Sequence, residues 1–353
     1  MKKYKLILLF LVHIIPSFGQ DNRIDWDGLT NLPQGTEIAI GVIENGTIQK
    51  YGFIVEKNEL KTKPNSHTLF EIGSITKVFT TLSALKILND KQIALSQPIA
   101  HYLPNAENTS DKITFYKLMT HTSGLPKVPN NFFWSTVRCP SDPFHHYCEK
   151  RMYRFLNKFR PTDNENFTYS NLGMGLLGYV SSNIENAPLN SILKNEIFKP
   201  LSMTSTSLGI KKEQFHLVAN PKGLNGEPKR TWKFSEVTEG AGNAYSNIDD
   251  VTLFLKFIFE QENTHTDLFQ PILKMEDEQL RIDTSESMGL GWRIHHNKSK
   301  IIYHGGITYG FKSLIAYSRI QEKGIVILTN AKGFSRKENK LLKELCFNYL
   351  EEK

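Results

Sequence analysis

Apolar residues recur along the chain in two distinct rhythms. Glu37 to Glu44 (EIAIGVIE) is rich in β-forming residues, Asn45-Gly46 follows, and Thr47 to Phe53 resumes the strand pattern. Two such runs separated by Asn-Gly predict a β-hairpin, because both residues tolerate the positive φ of a two-residue turn. From Ser74 to about Leu88 the rhythm changes. Ile75, Val78, Phe79, Leu82 and Leu85 recur at helical spacing with only Lys77 and Lys86 charged, which predicts a helix buried around most of its circumference.

From roughly residue 90 to 280 helical patterns are broken by loops rich in Pro, Gly and Asn, the longest irregular stretch running from Leu125 to about Asp163. Strand patterns return at Gly289 to His295, Lys300 to Gly305, Phe311 to Ser318 and Ile325 to Asn330. The chain ends in an amphipathic helix with Leu341, Leu342, Leu345, Tyr349 and Leu350 inward. Strands at both ends around a helical middle predict an α+β fold. Its antiparallel sheet is built from both chain ends (about 20–73 and 285–353) and flanked by helices, with a mostly helical part, about 74–284, inserted between the halves. A cleft between the two parts is where a site is expected.

The extreme N-terminus has a different pattern. Lys2, Lys3 and Lys5 precede an apolar run from Leu6 to Ile15 and then Pro16-Ser17-Phe18-Gly19, which reads as a secretory leader over 1–19. The run is shorter than the roughly 20 residues a membrane span needs, and no later stretch approaches that length. The expectation is an exported protein, periplasmic or secreted, with no stable membrane insertion after cleavage. The net charge of +7 falls to +4 without the three leader lysines, too little to point to nucleic acid. With 39% hydrophobic and 22% charged residues and no internal repeat, disorder and solenoids are excluded. Export leaves open a loop disulfide between Cys139 and Cys148, whereas Cys346 sits among leucines at helical spacing and reads as a buried thiol. His145-His146 and His295-His296 lack metal-ligand spacing and read as surface residues. No metal or organic cofactor is expected.

Four short motifs carry candidate chemistry. Ser74-Ile75-Thr76-Lys77 places a hydroxyl and an amine three residues apart on one helical face, at a strand-to-helix junction after Leu69 to Gly73. Burial opposes the ammonium form, so Lys77 is suited to take the serine proton, and the helix N-terminus favours developing negative charge. Ser83 to Lys86 and Ser191 to Lys194 match the same pattern without that junction, and a bare helix cap is the plain alternative for Ser74. Tyr169-Ser170-Asn171 supplies a phenol for a proton relay and an amide for substrate binding. The similar Tyr245-Ser246-Asn247 precedes a helical run and reads as a cap. His304-Gly305-Gly306 ends a strand where two glycines permit a ligand to approach the backbone, or simply form a tight turn. Gly173 to Gly178 formally matches a dinucleotide fingerprint but lacks the βαβ context, and reads as helix packing. No Gly-x-Ser-x-Gly elbow is present.

Taken in order, Phe70 to Lys77, His121-Thr122-Ser123-Gly124-Leu125-Pro126, Tyr169-Ser170-Asn171 and His304-Gly305-Gly306 resemble the motifs of the penicillin-recognising serine hydrolases. The nearest branch is the class C β-lactamase-like family, which also holds D,D-peptidases, D-amino-acid amidases and esterases. The resemblance implies that family's two-part fold, with Ser74 as nucleophile, Lys77 as its partner in proton removal and Tyr169 as general acid/base. Asn171 would hold the substrate and Lys77; His304, Gly305 and Gly306 would line the substrate edge; and the backbone N–H groups of Ser74 and Ile307 would form the oxyanion hole. His121 to Pro126 would be a structural turn. Where β-lactamases and D,D-peptidases usually carry Lys-Thr-Gly, this chain has His304-Gly305-Gly306, losing a fixed cation and a hydroxyl that favour carboxylate-bearing substrates. The expected activity is therefore hydrolysis of a small ester or amide, or of a peptide, through a Ser74 acyl-enzyme. A true β-lactamase or D,D-carboxypeptidase is the nearer alternative and a non-catalytic peptidoglycan- or peptide-binding module the more distant one. Aromatic residues Phe132, Phe133, Trp134 and Phe144 in the segment Lys127 to Glu165 are expected to cover the cleft.

Overall fold

The computed structural model describes residue 24 and residues 26–351, apart from 106–107, 140–141, 163–165, 261–265 and 332–335. The leader and its cleavage point lie outside the described residues. The Asn45-Gly46 turn takes positive φ at both positions, 48° and 76°, and closes the hairpin of β1 (Glu37–Glu44) and β2 (Thr47–Glu56). A further strand, β3 (Glu59–Thr62), pairs with β2 at the sheet edge. Three two- or three-residue strands, β4 (Phe70–Glu71), β5 (Ser207–Leu208) and β6 (Ala244–Ser246), form a separate small sheet in the order β4-β6-β5. The C-terminal strands are β7 (Leu280–Arg281), β8 (Glu286–Met288), β9 (Arg293–His295), β10 (Ile301–Ile307), β11 (Lys312–Ser318) and β12 (Lys323–Thr329).

Nine strands make one antiparallel sheet in the order β3-β2-β1-β12-β11-β10-β9-β8-β7. Both chain ends contribute to it, and they meet where β1 pairs with β12, Ile40 opposite Ile327. Alternate residues then face opposite layers. Ile38, Ile40 and Val42 pack with Ile325, Ile327, Trp26 and the C-terminal helix residues Leu342, Leu345 and Leu350. Ala39, Ile43, Val326 and Leu328 face the helical part. Cys346 is buried in the first of these layers, as its spacing predicts, while Cys139 and Cys148 are free thiols.

The central helix Thr76–Asp90 follows a single 3-10 turn, Gly73–Ile75, and is buried at every position from Thr76 to Leu85. Each large apolar side chain it buries is worth about 1.5–3 kcal/mol, which holds the helix with no exposed polar face to solvate it. It packs against the helix Asn171–Glu185, whose Gly175 and Gly178 lie where a Cβ would meet Val237 O at 2.4 Å and Leu189 Cδ2 at 2.6 Å. The Gly173 to Gly178 run is thus a close-packing surface for the turn at 237–241. His145 and His146 are exposed, but His295 and His296 are partly buried, His295 against the Phe347 ring and His296 against the Ser287 hydroxyl. Among the described residues no helix is long and apolar enough to cross a membrane.

Candidate active site

The serine sits where the small sheet meets the large one. Gly73 has φ 51°, and a Cβ there would stand 2.9 Å from the Ile307 amide nitrogen. Only glycine allows both the turn and the approach. A Cβ on Gly306 would meet Ile72 O at 1.9 Å, so the end of β10 and the residues before Ser74 touch backbone to backbone. This contact brings the Ile307 N–H beside Ser74 at the head of the buried helix. Thr76 Oγ1 donates to Gly73 O at 2.7 Å and accepts from the Ala244 N–H at 3.0 Å, tying the turn to β6.

Lys77 is fully buried and donates from Nζ to Ser74 Oγ at 3.0 Å and to the Ala241 carbonyl at 2.6 Å. Its hydrogen bonds do not include Asn171. The sequence-based expectation that Asn171 holds Lys77 gives way to the Ala241 carbonyl, which the 237–241 turn delivers because Gly175 and Gly178 let that turn press against the helix. Burial, with a smaller push from the positive charge of Lys127, lowers the Lys77 pKa well below the ordinary lysine value.

Tyr169 is partly buried, its ring 5.0 Å from Lys77 Nζ. Burial raises its pKa, opposed by the Ser74 hydroxyl and by the charges of Arg293 and Lys127. Its position is set by the 121–126 turn, to which the sequence assigned structure and no chemistry. His121, at φ 59°, accepts from the Ser170 N–H through Nδ1 at 3.2 Å and lays its ring 4.6 Å from that of Tyr169. Ser170 donates its hydroxyl to Pro126 O and caps the next helix by accepting from the Gly173 N–H, both at 2.8 Å. Asn171 is the first residue of that helix, with its own N–H on the Lys127 carbonyl at 3.1 Å.

His304 is 2% exposed, so it lies beneath the surface and does not line a substrate edge as the sequence led us to expect. β10 is an inner strand covered by the helical part, and position 304 points into that cover. Burial first, then Lys77 and Arg293, push its pKa down to about 3, so the ring is neutral. Its Nδ1 donates to Gly305 O at 3.0 Å, because a carbonyl only accepts. Gly305 is partly buried, Gly306 buried and Ile307 41% exposed, making Ile307 the open end of the strand.

Sequence reasoning missed two nearby groups. Arg293 on β9, partly buried, stands 5.4 Å over the Phe167 ring and pairs with no carboxylate among the described residues. Its charge reaches Tyr169, His121 and His304. An aromatic layer also abuts the serine turn. Phe144 stacks on Phe234 at 5.0 Å and meets Trp232 at 5.2 Å, Trp232 lies parallel to Tyr309, and Phe234 fills the space beside Gly242 next to Gly73. Of the four aromatics expected to cover the cleft, Phe132 and Phe144 turn inward to this layer while Phe133 and Trp134 are about 60% exposed. Nothing in local pattern marks Arg293 or the Trp232, Phe234 and Tyr309 part of the layer, since each depends on contacts across the fold.

A buried lysine beside a partly buried serine at a helix head, a phenol over the lysine and a strand end beside the serine are set in a fold of the class C β-lactamase type. The chain belongs to the Beta-lactamase family, whose model matches residues 32–345. Protein flp of Staphylococcus aureus (strain COL) is 25% identical over 311 residues, 83% of this chain and 59% of its own length. A β-lactamase of Providencia stuartii is 28% identical over 250 residues, covering 67% and 61%. The chain thus spans about three fifths of the length of these relatives. Among solved structures, a class C β-lactamase superposes with TM-score 0.77 at 19% identity over 92% of this chain and 93% of that one. A D-alanine carboxypeptidase of Burkholderia cenocepacia does so with TM-score 0.74 at 19% identity, covering 92% and 95%.

Proposed function

We propose that the protein is an exported hydrolase that works through an acyl-enzyme on Ser74, on ester or amide substrates of the esterase- or D-peptidase-like kind. The observation that carries this reading is Lys77 Nζ, desolvated and 3.0 Å from Ser74 Oγ. A neutral lysine takes the hydroxyl proton as the serine oxygen attacks the substrate carbonyl. The carbonyl oxygen, now negative, is met by the N–H groups of Ser74 and Ile307. Tyr169, whose pKa is raised by burial, keeps its proton and passes it to the leaving group. Water then attacks the acyl-enzyme by the reverse path. Asn171 and the Gly305–Ile307 edge hold the substrate.

Buried, neutral His304 supplies no cation at the cleft edge, which favours small esters over penicillins. One observation favours a carboxylate-bearing substrate instead: Arg293, uncompensated among the described residues, brings a positive charge to the same region from the next strand. The D-alanine carboxypeptidase of like fold gives this second reading a chemical precedent.

Rates of p-nitrophenyl butyrate, nitrocefin and a D-alanyl-D-alanine peptide with the wild type, Ser74→Ala and Arg293→Gln test both readings. Ester turnover lost in Ser74→Ala and untouched in Arg293→Gln supports the esterase-like reading. Peptide or nitrocefin turnover that falls about tenfold or more in Arg293→Gln supports the second. Turnover that survives in Ser74→Ala rejects both.

A further inference from the structure

Glu71 has no part in the mechanism above, yet it is 3% exposed and three residues before Ser74. Its carboxylate collects donors from three separate segments. The Trp232 N–H and the Tyr245 hydroxyl donate to Oε1 at 2.7 and 2.9 Å, and the Thr308 hydroxyl donates to Oε2 at 2.5 Å. Thr308 directly follows Ile307.

The position of this bond in the topology gives it weight. Ser74 follows β4, which belongs to the small sheet, whereas Ile307 ends β10 in the large one. No strand pairing joins β4 to β10 among the described residues. Two side-chain bonds cross the join, Glu71 to Thr308 and the Ser313 hydroxyl to Ile72 O at 2.8 Å. The two N–H groups assigned above to the substrate oxygen therefore sit just after a strand of the small sheet and at the end of a strand of the large one, and these cross-links tie the two together. Through Trp232, Glu71 also anchors the aromatic layer, since Trp232 lies against Phe144 and Tyr309.

We propose that Glu71 is a positioning residue for the oxyanion-binding amides, setting the spacing of the Ser74 and Ile307 N–H groups through Thr308. This role rests on the Ser74 acyl-enzyme reading. A carboxylate accepts from all three donors at once, whereas the acid form turns one oxygen into a donor and slackens the tie. Burial raises the Glu71 pKa to about 7, the Thr308, Tyr245 and Trp232 donors hold it down, and Asp142 adds to the rise. The other groups facing it are the Tyr245 phenol, pushed up by burial and by Glu71, and Asp142, which accepts from the Lys233 N–H. The tie is complete above about pH 7 and weakens below it.

The test compares Glu71→Gln, Thr308→Val, Thr308→Ser and the double variant Glu71→Gln/Thr308→Val with the wild type. The readouts are the rate of Ser74 labelling by a fluorophosphonate and ester hydrolysis, from about pH 5.5 to 9. Glu71→Gln and Thr308→Val are each expected to slow labelling and kcat by about 10- to 100-fold at pH 8, with KM nearly unchanged. The double variant should fall little below either single one, and Thr308→Ser should restore most of the rate. The limb near pH 7 should vanish in Glu71→Gln. Wild-type labelling rates in folded Glu71→Gln, or fully additive losses in the double variant, overturn the proposal. If Glu71→Gln does not fold, Thr308→Val decides in its place. A wild type that is not labelled at Ser74 overturns the acyl-enzyme reading itself, and the positioning role with it.

Discussion

Among the described lysines, Lys77 is set apart by being fully kept from water. A lysine with carboxylate partners holds its proton at neutral pH, and partly buried Lys86, further along the same helix, does so, bound to Asp90 and Glu196. Lys77 has a serine hydroxyl and a carbonyl for company and no carboxylate, so nothing offsets the cost of charge. Lys77→Arg keeps length and a donor but carries a guanidinium that never becomes neutral. It should fold and lose about three orders of magnitude in acylation, as Lys77→Ala does, measured by fluorophosphonate labelling. A rate near wild type would make Lys77 a positioning cation. At this scale the sequence was informative where chemistry is local: Ser74 and Lys77 are one helical turn apart, and the spacing states their contact. Arg293, Glu71 and the Ala241 carbonyl reach the site from 160 or more positions away or through buried bonds, and no window of sequence holds both partners.

The element most responsible for the site's shape is the helix Asn171–Glu185, through the side chains it lacks. A Cβ on Gly175 would meet backbone, Val237 O at 2.4 Å and Thr238 Cα at 3.0 Å, in the turn that leads to Ala241. Alanine in a helix interior gains about 0.5–1 kcal/mol over glycine, but overpacking against backbone costs about 1–3 kcal/mol. Packing wins. Gly175→Ala is expected to destabilise by roughly 1 kcal/mol in urea unfolding and to slow acylation, because the Ala241 carbonyl moves off Lys77. Unchanged stability and labelling would show that the turn yields freely. Long elements were legible for the same reason that they are stable: β1, β2, β10 to β12 and the central helix each repeat their pattern enough times to show a period. The strands β5 to β8 have two or three residues apiece, too short to show one, so although the segment holding β4 was legible as a strand before Ser74, the small sheet it joins went unread. The Tyr245-Ser246-Asn247 reading as a cap holds, since Asn247 accepts from the Asp250 N–H at 2.9 Å.

Across the whole molecule, buried ionisable groups oppose one another. Burial raises Glu71 and Glu239 to about 7, so between about pH 4.5 and 7 the folded chain holds protons that the unfolded chain releases, and stability falls as pH rises. His304 is pushed by burial to about 3 and His121 is pushed the same way, so for His304 between about pH 3 and 6.5 the unfolded chain holds a proton that the folded one refuses, and stability rises with pH; the two windows overlap between about pH 4.5 and 6.5. The opposing slopes flatten the profile across that window. Glu71→Gln removes one of the two carboxyls on one side of the balance, so its stability should climb with pH there relative to wild type, by up to about 1.4 kcal/mol per pH unit, in melts at fixed ionic strength. Parallel profiles would place the Glu71 proton elsewhere. The large sheet, which carries His304 on β10, closes late. The Glu37 N–H donates to Asn330 Oδ1 at 2.7 Å, 293 positions further on, and β1 has β12 as its inner neighbour. A ribosome that has released the serine, the lysine and the tyrosine has still not made the strand that completes the sheet. The nascent chain therefore carries Ser74, Lys77 and Tyr169 for most of its synthesis without the frame that brings them together, and gains that frame only as the last strands emerge.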